Sequence, residues 1–263
     1  MRQRLSTTLR TARIRREIER WERMRRLYFA RFAYPQLIPM PEGKRIVILS
    51  PHPDDDVIGA GGTLSKHHAK GCHITSVVLT DGEACDAEES TSTIRARRRA
   101  ETQRAAELVG IDEVVFLGEP DGAVADRDAA ARNLRDCLLR TVPELVYVPM
   151  FLDNHPDHRA TTALLARAVR GTNLTFACCA YETWSPLVPN ILVDITEHMP
   201  TKKNAIAAHA SQLAKVDYVD MVQALNRYRT AQFSRKIMFA EAFFLSQSSL
   251  YLSLWKDVHG KGR

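Results

Sequence analysis

The stretch RIVILSPHPDDDVIGAGG, residues 45–62, places a turn rich in histidine and aspartate between two elements of regular structure. Four of its first six residues are apolar, which predicts a short buried strand. A helix is predicted to begin near Val57 and to end at Gly71, because glycine commonly closes helices. The side chains in the turn that could bind a metal or transfer a proton are His52, Asp54, Asp55 and Asp56.

The same order of strand and helix continues along most of the chain. Further strands are predicted at residues 73–80, 113–118, 144–150, 174–182 and 190–195, and further helices at residues 92–110, 127–142 and 158–171. The chain after Pro200 is predicted to be mainly helical. Strands that alternate with helices form parallel βαβ units. We therefore predict an α/β fold, a Rossmann-like three-layer sandwich with a mostly parallel central sheet, plus an N-terminal amphipathic helix.

Residues 1–40 are predicted to form a basic amphipathic helix and a proline-rich linker, and residues 41–263 to form the main domain. Apolar side chains recur at helical spacing in residues 14–32, with arginine and glutamate between them. The segment YPQLIPMPEG, residues 34–43, then ends the helix. Two interpretations of this helix stay open. It packs against its own domain or a second copy of the chain in a homo-oligomer, or it lies on an anionic membrane surface.

The net positive charge of the chain comes from its N-terminal segment. Residues 1–34 contain eleven arginines and three glutamates, a net charge of +8, which leaves −2 for the other residues of a chain whose total is +6. A main domain without a positive excess lacks the electrostatic footprint of a nucleic-acid-binding protein. We therefore expect no nucleic-acid partner.

Cysteine content and hydropathy bear on the cellular compartment. The five cysteines are an odd number without CxxC spacing, which favours reduced thiols over disulfides. The first residues lack the apolar segment of a secretory signal, and no run of 18 apolar residues occurs. We expect a cytoplasmic protein, with peripheral attachment to the inner face of the membrane as the alternative.

A second cluster of histidine and aspartate, NHPDHRA at residues 154–160, follows the strand predicted at residues 144–150. Because the carboxyl ends of parallel strands lie at one edge of a sheet, we expect this cluster beside the first. Together the clusters offer two histidines and one carboxylate with open coordination positions, which suits a catalytic metal. Those three predicted ligands are His52, Asp55 and His158. Asp54, beside them, could act as general base for a water that the metal activates.

Helix capping is the competing explanation for carboxylates at the start of a helix. It suits Asp56, which we expect to cap the helix or to support the metal ligands. It does not account for two clusters of histidine and aspartate that both follow strands of an α/β pattern. We therefore assign the first cluster to metal binding and proton transfer.

Several short motifs, taken in order, resemble the PIG-L/LmbE-like deacetylases. They are PHPDD (51–55), LTDGE (79–83), RRAE (98–101), HPDHRAT (155–161), KKNAIAAHASQ (202–212) and AEAF (240–243). The resemblance runs from about Arg45 to Phe244. This family includes N-acetylglucosaminyl-phosphatidylinositol de-N-acetylase and the deacetylases of mycothiol and bacillithiol synthesis. The resemblance implies a zinc-dependent hydrolase that removes the acetyl group from a GlcNAc-type amino sugar, free, lipid-linked or in another glycoconjugate.

The resemblance also implies the roles of individual residues. His52, Asp55 and His158 would hold Zn²⁺, with Fe²⁺ or another divalent cation as the alternative, and Asp54 would be the general base.

Further roles follow from the motif positions. His155 would stabilise the oxyanion and could act as an acid, and Asp157 would orient or tune His155. Arg98 and Asp121 would contact the sugar, and His209 in HASQ is assigned to the substrate pocket.

One loop departs from the pattern of some relatives. They carry a mobile tyrosine just before HPDH, whereas this chain has MFLDN at residues 150–154. In this chain, the oxyanion stabilisation that such a tyrosine provides must come from another group or be absent. Asp153, two residues before His155, is more typical of bacterial members with sugar or glycolipid substrates.

Two other functions match parts of the pattern. A membrane-recruited sugar-binding protein with a degenerate site would retain the fold, but the complete set of ligands and proton carriers argues against it. Two histidines and one carboxylate also bind iron in non-haem oxygenases. Those enzymes are built on β scaffolds, whereas this chain predicts βαβ units.

Overall fold

The computed structural model describes residues 18–20, 23, 35–85, 89–124, 128–231, 233 and 235–259. Residues 18–20 and 23 are helical, and the rest of the predicted N-terminal helix lies outside the described residues. Arg23 Nε lies 3.9 Å from Asp257 Oδ2 near the end of the main domain. A single ion pair between exposed side chains contributes little stability, so both interpretations of the N-terminal helix stay predictions.

The strands of the described residues form a single eight-stranded sheet. They are β1 (Gln36–Ile38), β2 (Arg45–Ser50), β3 (His73–Thr80), β4 (Glu113–Glu119), β5 (Leu145–Pro149), β6 (Ala177–Tyr181), β7 (Ile191–Asp194) and β8 (Ala240–Gln247). Their order across the sheet is β1-β7-β8-β6-β5-β2-β3-β4. Neighbouring strands are parallel except where β8 meets β6 and β7. The mostly parallel sheet predicted from the sequence is confirmed.

Helices cover both faces of this sheet. They are α1 (Asp55–Ala69), α2 (Thr91–Val109), α3 (Asp128–Thr141), α4 (Pro156–Ala168), α5 (Met199–Ala207), α6 (Ala210–Leu213), α7 (Tyr218–Tyr228) and α8 (Ser248–His259). One apolar core joins α1, α2, α5 and α7 to the sheet, and the other joins α3, α4 and α8 to its opposite face. The predicted three-layer sandwich is confirmed. Every helix in the described part of the chain is too short or too polar to cross a membrane.

Strand β2 shows why the central strands are continuous apolar runs. Ile46 and Ile48 enter one core, and Val47 and Leu49 enter the other, because successive side chains of a strand point to opposite faces. A parallel strand covered by helices on both faces therefore needs apolar residues at consecutive positions.

The described part of the chain after Pro200 is mainly helical, as predicted, but residues 240–247 form the strand β8. This strand is antiparallel to both of its neighbours within the sheet. Its sequence AEAFFLSQ contains Glu241, and glutamate is unfavourable in strands, so the strand pattern is weak. The buried Glu241 carboxylate accepts hydrogen bonds from two backbone N–H groups of α1 and pairs with Lys202 Nζ at 2.6 Å. These tertiary contacts make the strand possible.

The predicted linker also needs a correction. Residues 36–38 within YPQLIPMPEG form β1, which pairs in parallel with β7 at the edge of the sheet. Prolines on both sides of this short segment mask a strand, and an edge strand tolerates nearby prolines because one of its sides is unpaired.

The glycines of α1 allow the helix to lie close to the sheet. A Cβ atom at Gly59 would lie 2.2 Å from Tyr181 Cδ2, and one at Gly62 would lie 2.8 Å from Ile195 Cβ. Real side chains do not approach so closely. Only glycine permits this packing, and the packing fixes the start of α1 over the carboxyl end of β2.

Candidate metal centre and active site

The two clusters of histidine and aspartate meet at the carboxyl edge of the sheet. Strands β2 and β5 are neighbours, and the sheet continues to β3 on one side and to β6 on the other. The space beyond β2 and β5 is therefore the topological switch point, where open α/β sheets bind their ligands. The segment PHPDD leaves β2 and begins α1, and NHPDH leaves β5 and begins α4.

The structure brings the three predicted metal ligands together. Asp55 Oδ2 lies 3.2 Å from His52 Nδ1 and 3.2 Å from His158 Nε2. His155 is a further neighbour, because one ring nitrogen from each of the three histidines lies within 4.8 Å of the others. Four potential donors thus converge on one small volume.

The buried atoms of this centre fit a divalent cation. His158 is fully buried, and neither of its ring nitrogens makes a hydrogen bond with a residue that the structure describes. Nε2 is close to Asp55 without hydrogen-bond geometry, as expected of two ligands directed at a common ion. A buried polar atom without a partner costs about 1–3 kcal/mol, which a metal–ligand bond would offset. Imidazole nitrogen and carboxylate oxygen are suitable donors for Zn²⁺ or Fe²⁺.

Carboxylates stand behind both histidine ligands. His52 Nε2 lies 3.1 Å from Asp157 Oδ2 and 3.2 Å from Asp121 Oδ1, which leaves Nδ1 for the metal. His158 Nδ1 lies 3.5 Å from Asp153 Oδ1. Metal-binding histidines usually carry a hydrogen-bonded partner on the second nitrogen, as His52 does with Asp157, whereas Asp153 lies beside His158 Nδ1 without hydrogen-bond geometry. Asp153 is therefore a supporting residue that the sequence analysis noted only as a feature of its loop.

The charges around His52 are strongly negative. Burial alone would lower the pKa of His52, but hydrogen bonds with Asp121, Asp157 and Asp55 outweigh burial and raise it well above its usual value. Burial alone would raise the pKa of Asp55, but His158 and His52 outweigh it and lower that pKa. Both shifts arise from the close pairing of imidazole rings and carboxylates at this centre.

The structure gives Asp157 a different partner from the predicted one. Its carboxylate contacts His52 and accepts hydrogen bonds from the backbone N–H groups of Gly122 at 2.9 Å and Val124 at 3.0 Å. The hydrogen bond between Asp157 and His155 involves the backbone of Asp157, whose N–H donates to His155 Nδ1 at 3.3 Å. The reason is position: His155 precedes α4 as its N-cap, whereas Asp157 lies in the first turn, so the two side chains leave in different directions. The structure thus adds His52 as a side-chain partner of Asp157, and the expectation that Asp157 orients or tunes His155 stays a prediction.

Asp54, the predicted general base, is buried beside the metal ligands in a strained backbone conformation. Its φ of 139° lies in a region that non-glycine residues rarely adopt. Such strain costs about 1–3 kcal/mol and is typical of functional sites. Burial raises the pKa of Asp54 to about 7, Arg98 opposes the shift and Asp55 adds to it. A carboxylate with a pKa near neutrality is suited to accept and release a proton.

Asp56, in contrast, supports the loop. Its carboxylate accepts a hydrogen bond from the Ser76 hydroxyl at 2.7 Å and from the Val57 N–H at 2.8 Å. Its own N–H donates to Ser50 Oγ at 3.1 Å. These contacts fix the first turn of α1 and involve no predicted metal ligand.

His155 is held as a hydrogen-bond donor. Its Nδ1 accepts the N–H of Asp157, so a neutral ring carries its hydrogen on Nε2. Burial lowers the pKa of His155, and the neighbouring His52 and His158 lower it further. The environment therefore favours the neutral imidazole over the protonated one.

Two residues were predicted to contact the sugar. Arg98 and Asp121 line the cleft above the centre. The buried Arg98 guanidinium donates to Gly82 O at 3.1 Å, to Pro53 O at 2.9 Å and to Asp54 at 3.3 Å, so it also holds the loop that carries Asp54. Its first observable role is to position that loop.

The substrate-pocket assignment of His209 is not supported by its position. The ring is fully buried and does not belong to the wall of the cleft. Burial and the nearby Arg98 lower its pKa to about 3, so the ring is neutral. His209 immediately precedes the one-turn helix α6, and this position turns the ring toward the interior.

The cleft has a volume of about 210 Å³, and the sequence analysis missed much of its wall. The metal-side residues form its floor, while a second wall comes from the end of β6 and from α7. The cleft-lining residues that were not predicted include Glu182, Thr183, Trp184, Tyr218, Met221 and Asn226. Trp184 connects the two sides, since its ring centre lies 6.4 Å from that of His155 and 6.1 Å from that of Tyr218. The helical spacing of α7 was the only signal for Tyr218, Met221 and Asn226, and that spacing normally indicates a buried core face.

Comparisons with known proteins agree with this geometry. The family model described as PIG-L, GlcNAc-PI de-N-acetylase, matches residues 47–169. The diacetylchitobiose deacetylase of Thermococcus kodakarensis is 28% identical over 192 residues, which are 66% of this chain and 72% of that protein. Among solved structures, the conserved protein TT1542 from Thermus thermophilus shares 30% identity with a TM-score of 0.67, covering 76% of this chain and 93% of that one. The N,N'-diacetylchitobiose deacetylase from Pyrococcus horikoshii shares 26% identity with a TM-score of 0.71, covering 88% and 94% of the two chains.

Proposed function

The chain belongs to the PIG-L/LmbE-like family of N-deacetylases, and on this premise we propose that it hydrolyses the N-acetyl group of a GlcNAc-type amino sugar. The observation that carries the proposal is the convergence of His52, Asp55 and His158 at the switch point, with the buried Asp54 beside them. The relatives named as deacetylases of acetylated amino sugars support the same reaction.

We assign metal binding to His52 Nδ1, Asp55 and His158 Nε2, with Zn²⁺ as the proposed ion. When bound, the ion supplies Lewis acidity, which polarises the acetamide carbonyl and lowers the pKa of a coordinated water to about 7. Asp157 and Asp153 hold the two imidazoles in the required orientation from behind. The open side of the centre faces the cleft, where the acetamido group would enter.

Asp54 is the proposed proton acceptor. An amide resists hydrolysis because its carbonyl is stabilised by resonance and its nitrogen leaves poorly. Attack by water therefore needs a base that removes a proton as the new C–O bond forms. Asp54 lies next to the ligand Asp55 in the chain and is held by Arg98, so its carboxylate stays close to the position of attack. The same carboxyl group could return the proton to the departing amine.

His155 is the proposed stabiliser of the oxyanion. The neutral ring offers Nε2–H, because Nδ1 is occupied by the N–H of Asp157. A donor fixed in this way gains most when negative charge develops on the carbonyl oxygen, which lowers the barrier rather than only binding the substrate. The ring stands over the same centre as His52, with ring centres 4.7 Å apart.

The test of this function is Asp54→Ala in the metal-loaded enzyme. We expect acetate release from N-acetylglucosamine compounds to be abolished, while metal content by mass spectrometry stays near one ion per chain. Asp56→Asn is the matched control, because Asp56 is also buried in this loop but bonds to Ser76 and Val57. Full activity in Asp54→Ala would refute the mechanism. Reconstitution of chelator-treated enzyme with Zn²⁺ or Fe²⁺ identifies the working metal.

A further inference from the structure

A second cavity is lined by helix α3 and by the end of α4, on the face of the sheet opposite to α1 and α2. Its volume is about 210 Å³, and its lining residues are all different from those of the cleft above the metal centre. Besides Asp128 and Ala131, the lining residues are four arginines: Arg132, Arg135, Arg167 and Arg170. The cavity therefore gathers four positive charges around one carboxylate.

The arginines reach the cavity because two helices turn one side toward it. The spacing i, i+3, i+4 and i+7 makes one stripe of α3 from Asp128, Ala131, Arg132 and Arg135. Arg167 lies in the last turn of α4, and Arg170 follows three residues later. Cations at the carboxyl end of a helix are favourable, which accounts for Arg167 and Arg170 taken alone. It does not account for the arginines of α3 that share the cavity with them.

Arg135 is fixed by the carboxyl end of α4. Its Nε donates to the Ala168 carbonyl at 2.8 Å, and its Nη2 donates to the Arg170 carbonyl. The carboxyl end of a helix carries partial negative charge, so these bonds cover carbonyl groups that would otherwise repel an anion. They also hold the planar guanidinium in one orientation, which reduces the side-chain entropy that a ligand must remove.

The protein neutralises only part of the charge in this cavity. Arg167 Nη2 pairs with Asp128, whose side chain is 77% exposed. An exposed ion pair contributes little stability, so this carboxylate competes weakly with a bound anion. Arg132 and Arg170 are exposed, and their side chains make no hydrogen bond or ion pair with any residue that the structure describes. Guanidinium groups around one cavity repel one another, so an anion between them would be stabilising.

We propose that this cavity, the arginine site, binds a small phosphorylated ligand through a diphosphate group, either free or carried by a nucleoside. The site is separate from the proposed deacetylase centre, because it shares no lining residue with the catalytic cleft. Its cations are all arginines, and the guanidinium fork pairs with two phosphate oxygens at once. The four arginines and Asp128 give a net charge of +3. A phosphomonoester carries about −1.5 to −2 near neutral pH, so a second phosphate group brings the charges closer to balance.

The rest of the main domain argues against a long polyanion. Residues 35–263 have a net charge of −2 even with these arginines included, so a nucleic acid would meet repulsion beyond the cavity. A single carboxylate would pair with part of the cluster and leave the other guanidinium groups without an anion. A diphosphate presents acceptor oxygens on two phosphorus atoms, which suits arginines that come from two helices.

The experiment is calorimetry on the full chain with four ligands: inorganic pyrophosphate, adenosine diphosphate, inorganic phosphate and triglutamate. We expect the two diphosphates to bind more tightly than phosphate, and triglutamate to bind more weakly than pyrophosphate. Arg132→Gln and Arg170→Gln should each weaken pyrophosphate by about three- to tenfold, and the double variant should weaken it by about 10- to 100-fold. Both side chains are exposed, so the variants should keep the melting temperature of the original chain without ligand.

The matched control is Arg104→Gln. This change also removes an exposed arginine from a helix, but Arg104 lies on α2 and outside the cavity. It should leave pyrophosphate binding unchanged. The N-terminal arginines and any bound metal ion interact with pyrophosphate alike in all of these chains, so the differences between variants measure the arginine site alone.

Three results would overturn the assignment. The first is a double variant that binds pyrophosphate as tightly as the original chain or as the Arg104→Gln control. The second is tighter binding of triglutamate than of pyrophosphate, which would indicate an acidic peptide. The third comes from vesicles of phosphatidylcholine with phosphatidic acid. Loss of vesicle binding in the double variant, with pyrophosphate binding retained, would assign these arginines to a membrane surface instead.

Discussion

The substitution Asp157→Asn tests which histidine the Asp157 carboxylate supports. The motif pattern assigns Asp157 to His155, whereas the structure places its Oδ2 at 3.1 Å from His52 Nε2. Asparagine keeps the size of the side chain but replaces one carboxylate oxygen by an amide nitrogen and removes the charge. Oδ2 serves both His52 and the Gly122 N–H, so the substitution acts directly on the support of a metal ligand.

The expected effect is a loss of metal affinity. Removing a carboxylate behind a metal-binding histidine typically weakens the metal or the activity by about 10- to 100-fold. At saturating metal, this corresponds to a loss of about 1.4–2.7 kcal/mol of metal-induced stabilisation. For a domain of this size, such a loss lowers the melting temperature of the metal-bound form by about 3–8 °C. The metal-free forms of the two proteins should differ less.

The assay combines metal competition with thermal unfolding. A chromophoric chelator measures the dissociation constant of Zn²⁺ for the original chain and for Asp157→Asn, and melting curves are recorded with Zn²⁺ and with excess chelator. Asp56→Asn is the control, because this buried carboxylate bonds to Ser76 and Val57 instead of a metal ligand, and its metal affinity should not change. Unchanged metal affinity in Asp157→Asn, together with a lower kcat, would show that Asp157 acts on His155 and would refute the structural reasoning.

Three further predictions concern packing and the N-terminal segment. Gly59→Ala should destabilise the protein by about 1–3 kcal/mol in urea unfolding, because the new Cβ would overlap the Tyr181 ring, and an unchanged midpoint would contradict this packing. Glu241→Ala should cost about 3–5 kcal/mol in the same assay, because it leaves the Lys202 charge buried without its partner, and a loss below about 1 kcal/mol would refute the pairing. Deletion of residues 1–34 should abolish co-sedimentation with anionic vesicles at low salt if the +8 segment binds membranes. Equal sedimentation of both chains would exclude that role.

The catalytic half of the site could be predicted from the sequence because its geometry is local. His52 and Asp55 are three residues apart in a turn between strand and helix, so the fold class alone brings them to the edge of the sheet. His158 follows because β5 and β2 are neighbours at the switch point of a parallel sheet. The sequence pattern predicted Asp157 and His155 as members of the site but did not predict the contact between Asp157 and His52. Which way a side chain leaves the first turn of a helix is decided by tertiary neighbours, here the backbone N–H groups of Gly122 and its loop.

The errors in the predicted fold have a common physical cause. Strand β8 carries the unfavourable Glu241, and β1 lies between prolines, so the local propensities of both segments oppose the structure that they adopt. Long-range contacts decide these cases: Lys202 and the N–H groups of α1 neutralise Glu241, and β7 supplies the hydrogen-bond partner of β1. A prediction from the local sequence pattern alone does not include such long-range contacts.

The two walls of the cleft therefore differ in how well the sequence predicts them. The predicted metal ligands and Asp54 follow the ends of β2 and β5, and the proposed reaction depends on their side chains. Trp184 and α7 lie later in the chain and line the cleft beside the candidate metal centre. An amphipathic stripe such as that of α7 has the same sequence pattern whether it faces a core or a ligand, so its residues can change without loss of the fold. It follows that substitutions in α7 should alter substrate choice while metal binding and the identity of the reaction are retained.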